Sequence, residues 1–434
     1  MTSPVTAKVQ DQYEDLPYPF RDPQDEKTRL FKPSRDFFEP INHYCFGGRQ
    51  SFGGDFRVLV AGGGTGDATI FLAEQLRKSG GQVVHLDLSE ASIAVAKERA
   101  DLRQLENIEF KKGSILDVAD MDYAPFDFID CTGVLHHMED PLAGLKALKS
   151  VLAKGGAMNI MVYAYYGRAA VYMVQDMMKV ANRNAASKDE ELHNLKSLLN
   201  SLHNKHWMVL SHKVHPILEM VEQNDNGLYD LFLHPQDRAY TVPQLYEWIN
   251  DAGLNIVTSP GIGTPGAQDY KVERYIQDPA MLAKLQKLPL PDQQAVAEVL
   301  HGFIRRHEVY VTQEDNIAAF EDDDMVPYFI RSFPADHKQL AQKMKEFKGA
   351  TWRHPIKLAD RKGELVVDCT PTKIKLMENL DGQKTIRQLV NLAKGEGSNT
   401  EQELRELFDV FHDSSLMFLR HKDAKALPKF KETA

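Results

Sequence analysis

Apolar runs and helical periodicities alternate from Phe56 onward. FRVLVA is a continuous apolar run and reads as a buried strand. TIFLAEQLRKSG follows with Ile70, Ala73 and Leu76 at helical spacing and stops at Gly80. QVVHLDL reads as a second buried strand and EASIAVAKERADLRQL as a second helix. NIEFKKGSIL and FDFIDCT give a third and a fourth strand. DPLAGLKALKSVLAKGG predicts a helix, with Asp140 as cap, Pro141 in the first turn, and Leu142, Leu145, Leu148 and Leu152 on one face. AMNIMVYAYY is a fifth strand. Strands that are apolar on both faces and alternate with helices predict a parallel α/β sheet.

The flanking segments break that rhythm. Residues 1–50 are rich in Pro, Asp and aromatics, as in QYEDLPYPFRDP, and read as an N-terminal arm or cap. Residues 51–165 hold the sheet and its glycine loop. Residues 166–235 carry many Met, Lys, Asn and His residues with helical character, and read as a helical insertion forming a lid above the sheet. Residues 236–320 complete the domain. There, AYTVPQLYEWINDAG has a Thr241/Gln244 capping box and a Gly253 stop, LNIVTS is a sixth strand, 278–305 is helical and HEVYVT is a strand. EDDD at 321–324 marks a boundary, and 327–434 predicts a small C-terminal α+β domain with a frayed, Lys-rich end.

Composition narrows the class. The 434 residues are too many for one simple core. Hydrophobic and charged contents of 43% and 26% are those of a soluble globular protein. The formal charge of −10 argues against a global affinity for nucleic acid. Three scattered cysteines fit neither a disulfide framework nor a zinc cluster, which points to the reducing cytoplasm. The start MTSPVTAKVQDQYED lacks the apolar run of a signal peptide, and no stretch approaches the ~20 apolar residues of a membrane span, so no membrane association is expected.

The chemistry concentrates in VLVAGGGTGDAT, residues 58–69. A glycine loop between a buried strand and a helix lets a ligand approach the backbone and face the helix N-terminus. A dinucleotide pyrophosphate asks for G-x-G-x-x-G, and counting from Gly62 the third glycine would fall on Asp67. Asp67 also puts negative charge where the pyrophosphate would sit. A G-x-G-x-G reading on Gly62, Gly64 and Gly66 succeeds, and a zwitterionic amino-acid ligand tolerates the acid. Asp87 ends the second strand about twenty residues on, where a carboxylate can accept hydrogen bonds from both ribose hydroxyls. In GSILD, Ser114 is placed to meet an adenine amino group and Ile115 to pack on its ring.

In that order, VLVAGGGTG, HLDLS, GSILD, FDFIDCTGVLHHMEDP and LAKGGAMNI resemble the class I S-adenosylmethionine-dependent methyltransferases. The resemblance covers residues 55–165, and 236–260 more loosely. It implies a Rossmann-like sheet and S-adenosyl-L-methionine as cofactor. By resemblance Gly62, Gly64 and Gly66 run beside its methionine part, Asp87 with Leu88 takes the ribose, Ser114 and Ile115 the adenine, and Thr132, Gly133 and Val134 lie by the methionine moiety and the acceptor. Many members carry an acid at the position of Val60 and an Asp at that of Ser114; this chain has neither. The N-terminal QYEDLPYPFRDP is similar to arms that close over the cofactor, which implies that Tyr13 and Tyr18 cover it and that Arg21 reaches its carboxylate.

Methyl transfer is an in-line displacement from a sulfonium with a neutral leaving group. It needs alignment and, where the acceptor is protonated, a base. His136 and His137 in GVLHHMEDP are candidate bases, and Tyr163, Tyr165, Tyr166 and Arg168 in VYAYYGR are candidate acceptor contacts. In FLHPQDRAYT, His234 and Arg238 are further candidates, Arg238 either clamping an anionic acceptor or pairing with Asp237. Each of these residues could equally serve packing or backbone bonding. HNKHWMVLSHKVH has no HExxH spacing and no adjacent cysteine, so no metal is expected. LMENLDGQKTIRQLV gives the C-terminal domain a resemblance to winged-helix or peptide-binding units, suited to a protein partner, to homodimer formation or to covering the catalytic domain. The resulting expectation is methyl transfer to a small-molecule acceptor under the helical lid. The rivals are a protein side-chain methyltransferase that recognises its substrate through the C-terminal domain, and a non-catalytic S-adenosylmethionine-binding protein.

Overall fold

The computed structural model describes residues 4–121, 123, 125–212, 225–257, 260–261, 265–333, 336–358, 361–394, 399–426 and 430–433. Eight strands form one sheet: β1 Arg57–Ala61, β2 Gln82–Asp87, β3 Ile108–Lys112, β4 Phe126–Thr132, β5 Leu152–Ala164, β6 Ala239–Tyr240, β7 Asn255–Ile256 and β8 Arg306–Thr312. Their order is β3-β2-β1-β4-β5-β8-β7, with β6 beside the end of β5. β1 to β5 are parallel, and β8 runs antiparallel to both neighbours. The central strands are apolar on both faces because both are covered. Leu59, Ala61, Ile129 and Cys131 face one core, while Val58, Val60 and Phe128 face the other.

Helices α3 Asp67–Leu76, α4 Glu90–Leu102 and α5 Pro141–Ser150 connect the strands. Asp140 caps α5 as expected, accepting from the Leu142 and Ala143 N–H groups at 3.0 Å each. The helix is shorter than the periodicity predicts. The Val151 carbonyl accepts from Phe126 N–H at 2.8 Å, and Leu152 begins β5 opposite Phe126. Leu152 therefore belongs to the sheet rather than to the helix face. The sixth strand is also short; Thr258 and Ser259 of LNIVTS lie outside the described residues.

The first fifty residues do more than cover the sheet. Helix α1 spans Pro4–Asp15, but α2, Phe38–Cys45, is buried along its whole length, with Phe38 and Ile41 in the core beside Val58 and Val60. The described residues of 166–235 hold four helices, α6 Ala169–Ala181, α7 Lys188–Asn200, α8 Trp207–His212 and α9 Asp225–Phe232, around a separate cluster containing Val174, Leu195, Met208 and Phe232. Beyond β8, strands β9 Met325–Phe329 and β12 Met417–His421 pair antiparallel, as do β10 Thr351–Leu358 and β11 Arg361–Asp368. Four helices complete this α+β unit, which has its own core around Leu365, Met377, Leu404 and Phe411. It rests on α2, where the Tyr44 hydroxyl meets His412 Nε2 at 2.8 Å. The chain end is packed rather than frayed. Phe430 meets Phe71 edge-on at 5.4 Å, Lys431 N–H donates to Glu74 at 3.1 Å, and Glu432 pairs with Lys32 at 2.8 Å.

One transverse row explains the missing acid at Val60. His85, Val60, Asp130, Asn159 and Tyr310 are lateral partners on five successive strands and so share one face. Asp130 is 2% exposed and already faces a second buried carboxyl, Asp36. Asn159 Nδ2 donates to Asp130 at 2.6 Å and to Asp36 at 3.2 Å, and Arg35 Nε donates to Asn159 Oδ1 at 2.8 Å. Burial and the proximity of Asp130 push the Asp36 carboxyl well up. A third carboxylate at Val60 would stand beside this pair, which already shares the charge of Arg35.

Candidate active site

The glycine loop joins β1 to α3 at the carboxyl edge of the sheet, the crevice where open α/β sheets bind ligands. Gly62, Gly64 and Gly66 all have positive φ and leave no room for a Cβ. Gly62 has φ +75°, and a Cβ there would lie 2.3 Å from Val134 Cγ2. Gly64 has φ +51°, and a Cβ there would lie 2.7 Å from the Tyr18 carbonyl oxygen. The arm thus lies directly on the loop, and the Thr65 hydroxyl fixes it by donating to the Pro19 carbonyl at 2.7 Å. Gly64→Ala is expected to lift this segment. Its measure is faster proteolytic cleavage between residues 15 and 35 with an unchanged circular dichroism spectrum; wild-type cleavage would refute the contact.

Asp87 is set at the end of β2 by the loop itself. Its Oδ2 accepts from Gly64 N–H at 2.7 Å and its Oδ1 from Ser89 N–H at 2.9 Å. Burial pushes its carboxyl up, against these two bonds and a third from the Leu88 N–H. Leu88, beside it, is half-buried. Ser114 accepts from Leu116 N–H at 3.1 Å, so part of its capacity is spent on capping a 3-10 turn. Ile115, the expected ring contact, is turned into the core, and Leu116 is the exposed neighbour. Thr132 is exposed at the end of β4 and donates to Asp130 at 3.0 Å. Gly133, with φ +80°, leaves open space apart from Met161.

Two expectations for the loop are corrected. Arg21 does not reach into the crevice: its Nε lies 2.8 Å from Asp67, and its guanidinium covers Phe31. Asp67 is not free to serve a ligand either, because Arg99 also holds it at 2.8 Å. Arg99 and Arg103 in turn grip Glu26, whose side chain is 3% exposed, with an Arg99–Glu26 contact of 2.7 Å. The signal for this cluster was the i,i+4 arginine pair on one face of α4.

Beyond Val134 the chain forms a short turn that brings His136 and His137 against Tyr163 of β5. His136 is fully buried, lies 3.9 Å from the Tyr163 ring and is felt by the Met161 backbone, so it packs inside the cluster rather than facing solvent. His137 stacks on His234 at 3.7 Å. Its Nδ1–H donates to the Gln236 carbonyl at 2.7 Å, which leaves Nε2 with a lone pair that meets no donor among the described residues. Burial keeps the ring's pKa below the usual value, hence neutral. His234 Nδ1 accepts from Gln236 N–H at 3.1 Å, so its proton sits on Nε2 and points to the Tyr13 oxygen at 3.3 Å. Tyr13 donates onward to Asp230 Oδ1 at 2.9 Å. Tyr13 is thus placed in this network.

His137, Asp230 and His234 offer ligand atoms within 4.8 Å of one another. Stacked rings direct their lone pairs side by side, and His234 Nε2 carries a proton, so this donor set suits proton handling better than a metal. Asp230 was missed by sequence reasoning; an acid on the buried face of α9, four residues before His234, was the available signal. Arg238 does not join the cluster. It is exposed and lines an outer cavity of about 310 Å³ with Tyr240, Glu247, Trp248 and Asp251. Its expected partner Asp237 is held instead by Arg168 at 2.7 Å and Gln175 at 3.0 Å, and Arg168 lies 3.5 Å over the Tyr163 ring. Tyr18 is 37% exposed beside Arg21, while Tyr165 and Tyr166 are exposed at the rim. The His-rich stretch is described only to His212; the rest lies outside the described residues.

Residues 54–222 match the family model described as a methyltransferase domain. An uncharacterized protein of Synechococcus sp. is 31% identical over 268 residues, covering 59% of this chain and 60% of its own length. The tRNA 5-carboxymethoxyuridine methyltransferase of Escherichia coli K12 is 38% identical over 112 residues, 26% of this chain and 41% of that protein. The chain therefore spans about two fifths to three fifths of the length of these relatives. The solved structure of PKMT2 from Rickettsia typhi in complex with AdoHcy aligns with a TM-score of 0.60 at 16% identity, over 90% of this chain and 76% of that one, and it shares the fold. With the strand order, the glycine loop and the acid that ends β2, these matches identify residues 54–222 as a class I S-adenosylmethionine-dependent methyltransferase domain.

Proposed function

We propose that this chain transfers the methyl group of S-adenosyl-L-methionine to a small-molecule acceptor held between the N-terminal arm and helices α6 to α9. The observation that carries this reading is Asp87: a carboxylate at the end of β2, fixed at the glycine loop by Gly64 and Ser89 N–H groups. Asp87 would hold the ribose hydroxyls, and the loop from Gly62 to Gly66 would follow the methionine part. When bound, the cofactor supplies an electrophilic methyl on a sulfonium. Thr132, backed by the buried Asp130, is positioned to accept from the cofactor's ammonium group. Gly133 leaves the space next to it clear, and the His137 cluster stands one turn further on.

Support for a small acceptor comes from the chamber's walls. Asp230, His137 and His234 are buried, and Arg168 and Asp237 tie α6 to the return loop. No helix among the described residues is long and apolar enough to cross a membrane, and the three cysteines are buried free thiols, in keeping with a cytoplasmic site of action. The test is incubation of the protein with a metabolite extract and methyl-labelled cofactor. Label in a low-mass product supports the proposal. Label confined to protein or to tRNA overturns the acceptor class, and no label in any fraction overturns the activity.

A further inference from the structure

The two acids of this cluster differ in their partners. Asp237 has its cation, because Arg168 lies 2.7 Å away and both side chains are 5% exposed or less. Asp230 has no such contact; His137 and Arg168 favour its charge from further off, while burial pushes its carboxyl up. It is 3% exposed, and among the described residues its carboxylate accepts one hydrogen bond, from Tyr13, and meets no lysine or arginine within ion-pair distance. Histidines 137 and 234 do not compensate, since burial holds both neutral. An unpaired buried carboxylate is costly, and a cationic ligand removes that cost. The surroundings suit one kind of cation. Tyr13 donates to Asp230 at 2.9 Å and Tyr163 meets His137 edge-on at 5.6 Å, so two phenols stand beside the cluster. The lone pair on His137 Nε2 opens on the same space.

We propose that the acceptor enters as an aliphatic ammonium ion, held by Asp230 beside the phenols of Tyr13 and Tyr163 and deprotonated by His137. This rests on the methyltransferase reading above and specifies its substrate. The step balances as follows. One N–H proton of R–NH3+ passes to His137 Nε2, giving R–NH2 and an imidazolium that Asp230 stabilises. The nitrogen lone pair then attacks the sulfonium methyl, an N–C bond forms, the S–CH3 bond breaks, and its electrons stay on the neutral thioether. The product is R–NH2+–CH3.

The experiment is calorimetry on the full chain saturated with S-adenosylhomocysteine, using n-pentylamine as probe and 1-pentanol as neutral isostere. Pentylammonium binds and pentanol does not. Asp230→Asn weakens pentylammonium about 100-fold while leaving S-adenosylhomocysteine affinity unchanged, which also reports that the variant is folded. Tyr13→Phe, which removes only the hydroxyl, retains the preference for amine over alcohol. Turnover with pentylamine against a blocked lysine pentapeptide separates a free amine from a lysine side chain as the source of the ammonium. Equal binding of amine and alcohol, or an unchanged amine affinity in Asp230→Asn, overturns the proposal. Failure of the wild type to bind S-adenosylhomocysteine overturns the cofactor reading itself and is seen before any probe is added.

Discussion

Asp87→Ala is expected to weaken S-adenosylhomocysteine binding by roughly 100-fold or more. Two hydrogen bonds from ribose hydroxyls to a charged acceptor are lost, at about 1.5–3 kcal/mol each. The substitution also releases Gly64 and Ser89 N–H groups that Asp87 holds at 2.7 and 2.9 Å, so the loop loses its anchor. Asp87→Asn separates the two effects. The amide oxygen can keep one backbone bond but lacks the charge and one acceptor, and binding is expected to fall between wild type and alanine. Titration calorimetry measures both, with thermal unfolding to confirm the fold. Wild-type affinity in the alanine variant would remove the residue on which the cofactor assignment rests.

Glu26→Gln is expected to be the most damaging single change to stability, at about 3–5 kcal/mol. Glu26 sits between Arg99 and Arg103, whose side chains are 2% and 0% exposed, and neutralising it leaves two guanidinium groups facing each other in the interior. Arg99 also holds Asp67 at the start of α3, and Arg103 donates to the Arg29 carbonyl at 3.0 Å and to the Glu432 carbonyl at 3.2 Å. The loss is therefore expected to reach the glycine loop as well as the fold. A shift of the urea midpoint to lower denaturant with an unchanged slope checks the first effect, and weakened S-adenosylhomocysteine binding the second. An unchanged midpoint would mean that water replaces the carboxylate at no cost.

The sheet was legible because its strands bury both faces: runs such as VLVA and FIDC have no other stable use between helices. The glycine loop was legible for a related reason, since a glycine that meets Val134 or the Tyr18 carbonyl cannot be anything else. The cluster around Asp230 was largely hidden. His137 and Tyr163 lie on the sheet edge, where local sequence gives their position, whereas Asp230 arrives from a helix nearly a hundred residues away. Arg21, Asp67 and Glu26 were misread or unseen because ion pairs at separations of 46 and 73 residues leave no local pattern. Arg238 and Arg168 exchanged roles for the same reason: the chain neighbour of Asp237 is not its spatial partner.

The row through His85, Val60, Asp130, Asn159 and Tyr310 bears on how such sites are found. Parallel neighbours stand about 4.8 Å apart and point the same way, so a carboxylate that moves from β1 to β4 is displaced by one strand spacing in space but by seventy positions along the chain. A pattern that demands an acid two residues before the first glycine finds valine here, while a buried carboxyl, Asp130, lies across a single ladder of hydrogen bonds. In parallel sheets such neighbours are seen when positions are compared by transverse row rather than by string.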